Sequence, residues 1–301
     1  MSAAAEEDGV VMLCASCGTA GSDDIKLKKC TACYLVRYCS VKCQRDHRPK
    51  HKKACRRRAA ELKDELLFKQ PESSYLGDCP ICCLPLSYDG KKTILKACCS
   101  KVICSGCDYA NQKREWEARL QRNCPFCRKT VPNTKEESDE QFMKRVEMND
   151  PVAVCQMGTI RYAERDYKSA FEYLTKAVAM GSVQAHYQLS VMYQNGHGVE
   201  KDEKKELHHL EQAAIGGHPD ARHNLGCVEA INGQHNRAMK HFIIAANLGH
   251  DDSLDTLKKA YKAGHASKED FATALSGYQS AIEATKSPQR EEAAEYYNRR
   301  N

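Results

Sequence analysis

Ten cysteines of this 301-residue chain stand in five CxxC pairs: Cys14/Cys17, Cys30/Cys33, Cys79/Cys82, Cys104/Cys107 and Cys124/Cys127. A spacing of two residues lets both sulfurs of a pair reach one metal ion, and tetrahedral zinc commonly uses such pairs. Of the eighteen cysteines, seven lie in 14–55 and nine in 79–127, with only Cys155 and Cys227 beyond. Disulfides are the competing use of so many thiols. The opening residues lack the basic segment and long apolar run of a secretory signal, so a cytosolic or nuclear location with reduced thiols is expected. The chemistry on offer is therefore metal binding. There is no HExxH pair, phosphate loop or cofactor fingerprint, so neither a catalytic side chain nor an organic cofactor site is expected.

Eight ligands form the first series: Cys14, Cys17, Cys30, Cys33, Cys39, Cys43, His51 and Cys55. Eight ligands make two tetrahedral sites. Their order and spacing, with "RYCSVKCQ" and "HKKAC", resemble the MYND zinc finger over residues 14–55. The resemblance implies interleaved sites, Cys14, Cys17, Cys39 and Cys43 on one ion and Cys30, Cys33, His51 and Cys55 on the other. It also implies a module that binds protein partners, often proline-containing peptides. Arg48 stands where many members carry tryptophan. A segment of about 45 residues has too small a core to fold alone, so metal binding must substitute for burial.

The second series is Cys79, Cys82, Cys98, Cys99, Cys104, Cys107, Cys124 and Cys127, with Cys83 left over as a spare thiol. "CPIC" at its start, "CPFCRK" at its end and the helix-forming "YANQKREWEARLQRN" between the last pairs resemble a RING finger. Where that family usually places a histidine ligand, this chain has Lys101, a cation with no lone pair at neutral pH. Cys98 is the residue expected to complete the set. The resulting sites are Cys79, Cys82, Cys104 and Cys107 on one ion, and Cys98, Cys99, Cys124 and Cys127 on the other. RING fingers position a ubiquitin-charged conjugating enzyme rather than react covalently. The resemblance assigns contacts with that enzyme to Ile81 and Pro125, with Trp116 as a looser match. It gives Arg128 the role of the arginine that bridges enzyme and ubiquitin, a task suited to a forked donor.

The residues after 150 have a different texture. "AVCQMGTIRY" at Ala153, "AHYQLSVMY" at Ala185, "ARHNLGCVEA" at Ala221 and "SLDTLKKAYK" at Ser253 begin similar units. A period of 32–36 residues predicts a helical-hairpin solenoid. The unit containing "YQNGHGVEKD" resembles a Sel-one-like repeat, a relative of the tetratricopeptide repeat, and the fourth unit is degenerate. The resemblance implies a surface for protein partners. Gly181, Gly216 and Gly249 sit where helices should end, and Ser267 with Asp270 predicts a capping box. Ten of the twelve histidines fall in this half, without ligand spacing, and are read as surface or packing residues. Cys155 and Cys227 are read as small core residues.

Together these elements predict a multidomain chain, two small zinc-stabilised cross-brace modules with little regular structure followed by an all-α helical-hairpin solenoid. The expected boundaries are a flexible N-terminus 1–13, the first finger 14–58, a helix and linker 59–78, the second finger 79–131 and a linker 132–149. The solenoid follows over 150–285, with a cap or tail over 286–301. Hydrophobic content is 42% and charged content 29%, and no run approaches the ~20 apolar residues of a transmembrane helix. Four zinc ions on fifteen thiolates and one histidine bring the formal charge of +6 close to neutral, so net charge does not argue for nucleic acid. The basic run "KHKKACRRR" is read as a solvated helix face rather than an import signal or phosphate site. Two functions fit: a RING-type ubiquitin-protein ligase with two recruiting modules, or a non-enzymatic scaffold in which all three modules bind protein partners.

Overall fold

The computed structural model describes residues 12–299 and divides into two compact units, Met1–Lys69 and Gln70–Asn301. Most of the segment 1–13, expected to be flexible, lies outside the described residues.

In the first unit, β1 (Lys28–Lys29) pairs antiparallel with β2 (Arg37–Tyr38), and α1 (Val41–Leu67) follows. Ser40 caps α1 by accepting from the Cys43 amide. Pro49 lies inside the helix, where it removes one backbone donor. Cys43 before it and His51 and Cys55 after it are pinned by other segments, which holds the helix on both sides of the defect. The buried core is little more than Cys14, Cys30, Cys33 and Tyr38. Lys50, Lys52, Lys53, Arg56 and Arg57 are exposed, and Arg58 pairs with Glu61 and Glu65. The basic run thus forms a solvated helix face.

The second unit starts with a small module in which β3 (Thr93–Lys96) and β4 (Lys101–Cys104) form a hairpin, followed by α2 (Ser105–Glu117). Its core is Cys79, Leu86, Ile103, Cys104 and Cys107. A buried ion pair between Lys96 and Asp108 ties the hairpin to α2, and buried Glu115 accepts from the Asn123 amide at 3.2 Å.

Residues 132–149 are not a linker. They contain α3 (Lys135–Glu147), whose Phe142 and Val146 are buried in the first core of the solenoid. The acidic "EESDE" run hides an amphipathic pattern that surfaces only at these two residues.

Four helical hairpins follow: α4 (Pro151–Ala163) with α5 (Tyr167–Ala179), α6 (Val183–Asn195) with α7 (Glu203–Ile215), α8 (Pro219–Ile231) with α9 (His235–Ala246), and α10 (Asp251–Lys262) with α11 (Lys268–Ala284). The repeat shows in the packing. Ala153, Ala185, Ala221 and Ser253, at the same place in successive units, are all fully buried. Five residues on, Gly158 and Gly226 leave no room for a side chain, since a Cβ would come within 2.7 Å of Leu174 and 2.6 Å of Phe242. Small residues there let the two helices of a hairpin approach closely. Gly181 and Gly249 are left-handed where the helices end, but in the second unit that role falls to Gly217. Gly216 is instead small because Val183 packs against it. The capping box of Ser267 and Asp270 is formed. Residues 288–298 form α12 (Pro288–Asn298), so the cap-or-tail segment is a helix.

Two of the ten histidines of this half have roles the repeat defines. His218 and His250 cap α8 and α10 through their Nδ1 atoms, at the position held by Asp150 and Ser182 in the preceding units. Both also take a tyrosine from the preceding part of the unit, His218 from the segment read as a linker before residue 79 and His250 from the second finger. Tyr75 stacks on His218 with ring centroids 4.6 Å apart, and its amide donates to Gly217 O at 3.2 Å. Tyr88 stacks on His250, which stacks in turn on His223. Tyr162 shares a hydrogen bond with His197 at 2.8 Å. Cys155 is buried in the first core, and Cys227 packs at the edge of another.

His218 is 2% exposed, accepts from the Ala221 amide through Nδ1 and meets Gln184 Oε1 through Nε2 at 3.0 Å. That pairing suits the neutral ring alone. Burial lowers its pKa to about 4, although nearby Asp220 opposes the shift. A depressed histidine makes the unfolded chain the better proton binder, so its stabilisation is complete above pH 6.5 and is lost as pH falls from there toward 4. In His218→Ser the cap is kept without the titration, as Ser182 does in the preceding unit. Thermal midpoints measured from pH 7 to 5 should fall less steeply in this variant than in the wild type.

Candidate metal centres

Four of the five CxxC pairs fold as the same knuckle. The amide of the first cysteine closes the turn by donating to a carbonyl five or six residues on: Cys14 N to Thr19 O, Cys30 N to Val36 O, Cys79 N to Leu84 O and Cys124 N to Lys129 O, all at 2.7–2.9 Å. The residue after the second cysteine is left-handed and donates to the carbonyl of the first, at 2.8–2.9 Å for Gly18, Tyr34, Cys83 and Arg128. The closure leaves the two sulfurs of each pair on one side. It also explains the spare thiol. Cys83 fills the left-handed slot, φ 56°, and is exposed outside the ligand sets. Cys104/Cys107 is built differently, at the start of α2, where the Cys104 sulfur caps the helix by accepting from the Cys107 amide at 3.3 Å.

The ligand atoms gather in four sets, in each of which all lie within 4.8 Å of one another: Cys14, Cys17, Cys39 and Cys43; Cys30, Cys33, His51 and Cys55; Cys79, Cys82, Cys104 and Cys107; Cys98, Cys99, Cys124 and Cys127. Each set joins segments distant in the chain, which is the cross-brace. Zinc fits these sets. A tetrahedral ion with Zn–S of about 2.3 Å places its sulfurs about 3.8 Å apart. The sulfurs of Cys30 and Cys55 and of Cys82 and Cys104 stand 3.8 Å apart, and those of Cys99 and Cys124 3.9 Å. His51 presents Nε2 to the Cys33 sulfur at 3.2 Å, and its ring stacks on His47, which Tyr38 holds through its hydroxyl at 3.1 Å.

The charges of the sulfurs call for a cation. Burial, then the neighbouring sulfurs Cys127 and Cys124, push the Cys98 thiol strongly up, and burial does the same to Cys107. Burial raises Cys99 to about 11. Cys82 runs the other way: burial opposes ionisation, but the Leu84 amide and the Arg290 guanidinium hold it at about 7. Four thiolates this close repel, and a divalent ion removes the conflict.

The vicinal Cys98 and Cys99 reach one set because they lie in the turn of the β3–β4 hairpin. Ser100, left-handed at φ 55°, closes that turn with its amide on Lys96 O at 2.8 Å. Lys101 is outside every set. It is exposed, with its ammonium 5.9 Å from the centre of the Phe126 ring. The residues read as enzyme contacts face solvent: Ile81 is 40% exposed and Trp116 82%, Arg128 is exposed and Pro125 is half-buried. Leu120 and Phe126 are exposed apolar neighbours that sequence reading passed over, although Phe126 stands beside Pro125 in "CPFC".

Fold and sites define a zinc-binding repeat protein. Residues 14–55 match the MYND finger family, and 153–182, 183–218 and 219–250 match the Sel1 repeat. The chain carries a MYND finger and three Sel1 repeats; the α10–α11 hairpin continues the pattern beyond the matched region. No curated protein sequence is a significant match. Among solved structures, a Sel1 repeat protein from Oxalobacter formigenes aligns with a TM-score of 0.45 and 26% identity, over 51% of this chain and 66% of its own. The protective antigen c5321 of uropathogenic Escherichia coli strains, which displays an SLR fold, aligns with a TM-score of 0.41 and 23% identity, over 56% of this chain and 37% of its own. This chain thus spans less than two thirds of the length of either.

Elemental analysis of the purified chain should find four zinc ions, one per set. Cys98→Ala should lower this to about three. Unchanged zinc content in that variant would refute the place of Cys98 in the fourth set.

Proposed function

We propose that the chain is a RING-type ubiquitin-protein ligase. Residues 79–131 would hold a ubiquitin-charged conjugating enzyme, while the MYND finger and the Sel1 repeats recruit the substrate. The observation that carries this reading is the exposure of Ile81. It lies between two cysteines of a complete ligand set, where a core role would have buried it. An apolar side chain on a rigid metal-bound loop is suited to docking, and Trp116, Pro125 and Phe126 offer further apolar surface. Arg128 leaves the last knuckle with its side chain in solvent, free to bridge two acceptors. The acceleration would come from holding the thioester in reach of an amine. The reduced thiols this requires support a cytosolic or nuclear location as part of the same proposal.

Mixing the zinc-loaded chain with ubiquitin, its activating enzyme and a panel of conjugating enzymes should give ubiquitin chains with at least one of the panel. Ile81→Ala and Arg128→Ala should each lower the rate about tenfold, the effect of losing roughly 1.4 kcal/mol of contact. Zinc content should be unaltered in both. A wild-type chain inactive with every conjugating enzyme would leave the alternative, a zinc-dependent scaffold that only binds protein partners.

A further inference from the structure

The helix α12 packs against α2 of the second zinc module. Gly106, in the first turn of α2, has no side chain because Arg290 takes its place; a Cβ there would lie 2.9 Å from the Arg290 Cα and N. Lys113 pairs with Glu292 at 2.7 Å. The ring of Tyr109 lies on that of Tyr296 with centroids 4.7 Å apart.

This seating aims the Arg290 guanidinium at the first knuckle of the module. Nη2 donates to the Cys82 sulfur at 3.4 Å and to Leu84 O at 3.1 Å. Nη1 donates to Pro85 O at 2.7 Å and to Thr285 O at 2.8 Å. A zinc ion with four thiolates carries a net charge of about −2. A half-buried cation beside one of the sulfurs spreads that charge, and its fork fixes the loop on which the sulfur sits.

We propose that Arg290 is an outer-sphere residue of the Cys79–Cys82–Cys104–Cys107 zinc site, so that α12 belongs to that site as much as to the solenoid. Arg290 binds no zinc itself; it is a positioning residue that acts through Cys82 and the 82–85 loop. The same loop presents Ile81. Any effect on conjugating-enzyme docking therefore rests on the ligase reading, while the effect on zinc does not.

The test is zinc release from the full-length, zinc-loaded chain into excess chromogenic chelator. In Arg290→Ala, one of the four equivalents should leave about 10–100-fold faster, and the other three at wild-type rates. Arg290→Lys keeps the charge but not the fork, and should fall between the two. Four equivalents at wild-type rates would overturn the proposal. So would equal acceleration of all four, which marks general loosening, or Arg290→Lys releasing as fast as Arg290→Ala. The measurement contains no ubiquitin component, so an inactive ligase would leave its result intact.

Discussion

Mutual repulsion among closely held sulfurs is the constraint on which both cysteine-rich modules depend. In both cysteine-rich modules the buried core consists largely of the ligands themselves. Apolar burial on this scale does not offset the entropy of ordering some fifty residues. The structure of these segments is therefore conditional on a cation in each set, and the short strands, knuckles and caps only arrange donors for it. The same condition explains why irregular features survive here. A proline inside α1 and left-handed residues such as Tyr34, Ser100 and Arg128 would each cost stability in an ordinary core. Metal coordination, far stronger than any one hydrogen bond, holds them in place.

The solenoid answers a different physical problem, and does so with shape rather than charge. Small residues at fixed places in each unit let helices approach, and the capping position at the start of each first helix is reused for a second purpose. Aspartate and serine fill it in the first two units, histidine in the next two. An imidazole can satisfy the helix end and still offer a flat face, which Tyr75 and Tyr88 cover. Through those stacks, α3 and α12, the second zinc module becomes part of one compact unit with the repeats, rather than a bead on a string.

What could be read from the sequence follows from this division. Ligand sets were legible because metal chemistry restricts residue type and spacing together. Lys101 could be set aside as a ligand, and the neighbouring Cys98 counted in the fourth set, by counting donors. The hairpins were legible from their period. The bonds that fuse the module to the solenoid were not. Tyr75 pairs with a glycine some 140 residues away, and Arg290 with Cys82 across 208 positions. Such contacts have no period and use ordinary residue types. Residues 132–149 misled for a related reason: the two buried side chains of α3 are diluted by acidic residues that face water.

The reach of α12 has a consequence for how the molecule is made. Cys107, the last ligand of the third set, leaves the ribosome 183 residues before Arg290. At 5–20 residues per second, that is roughly 10–40 s. During that time the third metal site has its sulfurs but not the guanidinium beside them. A chain interrupted before the last helix would carry every ligand and still hold that ion in an unfinished setting. The firmness of one zinc ion thereby becomes a record of whether translation has run through residue 290.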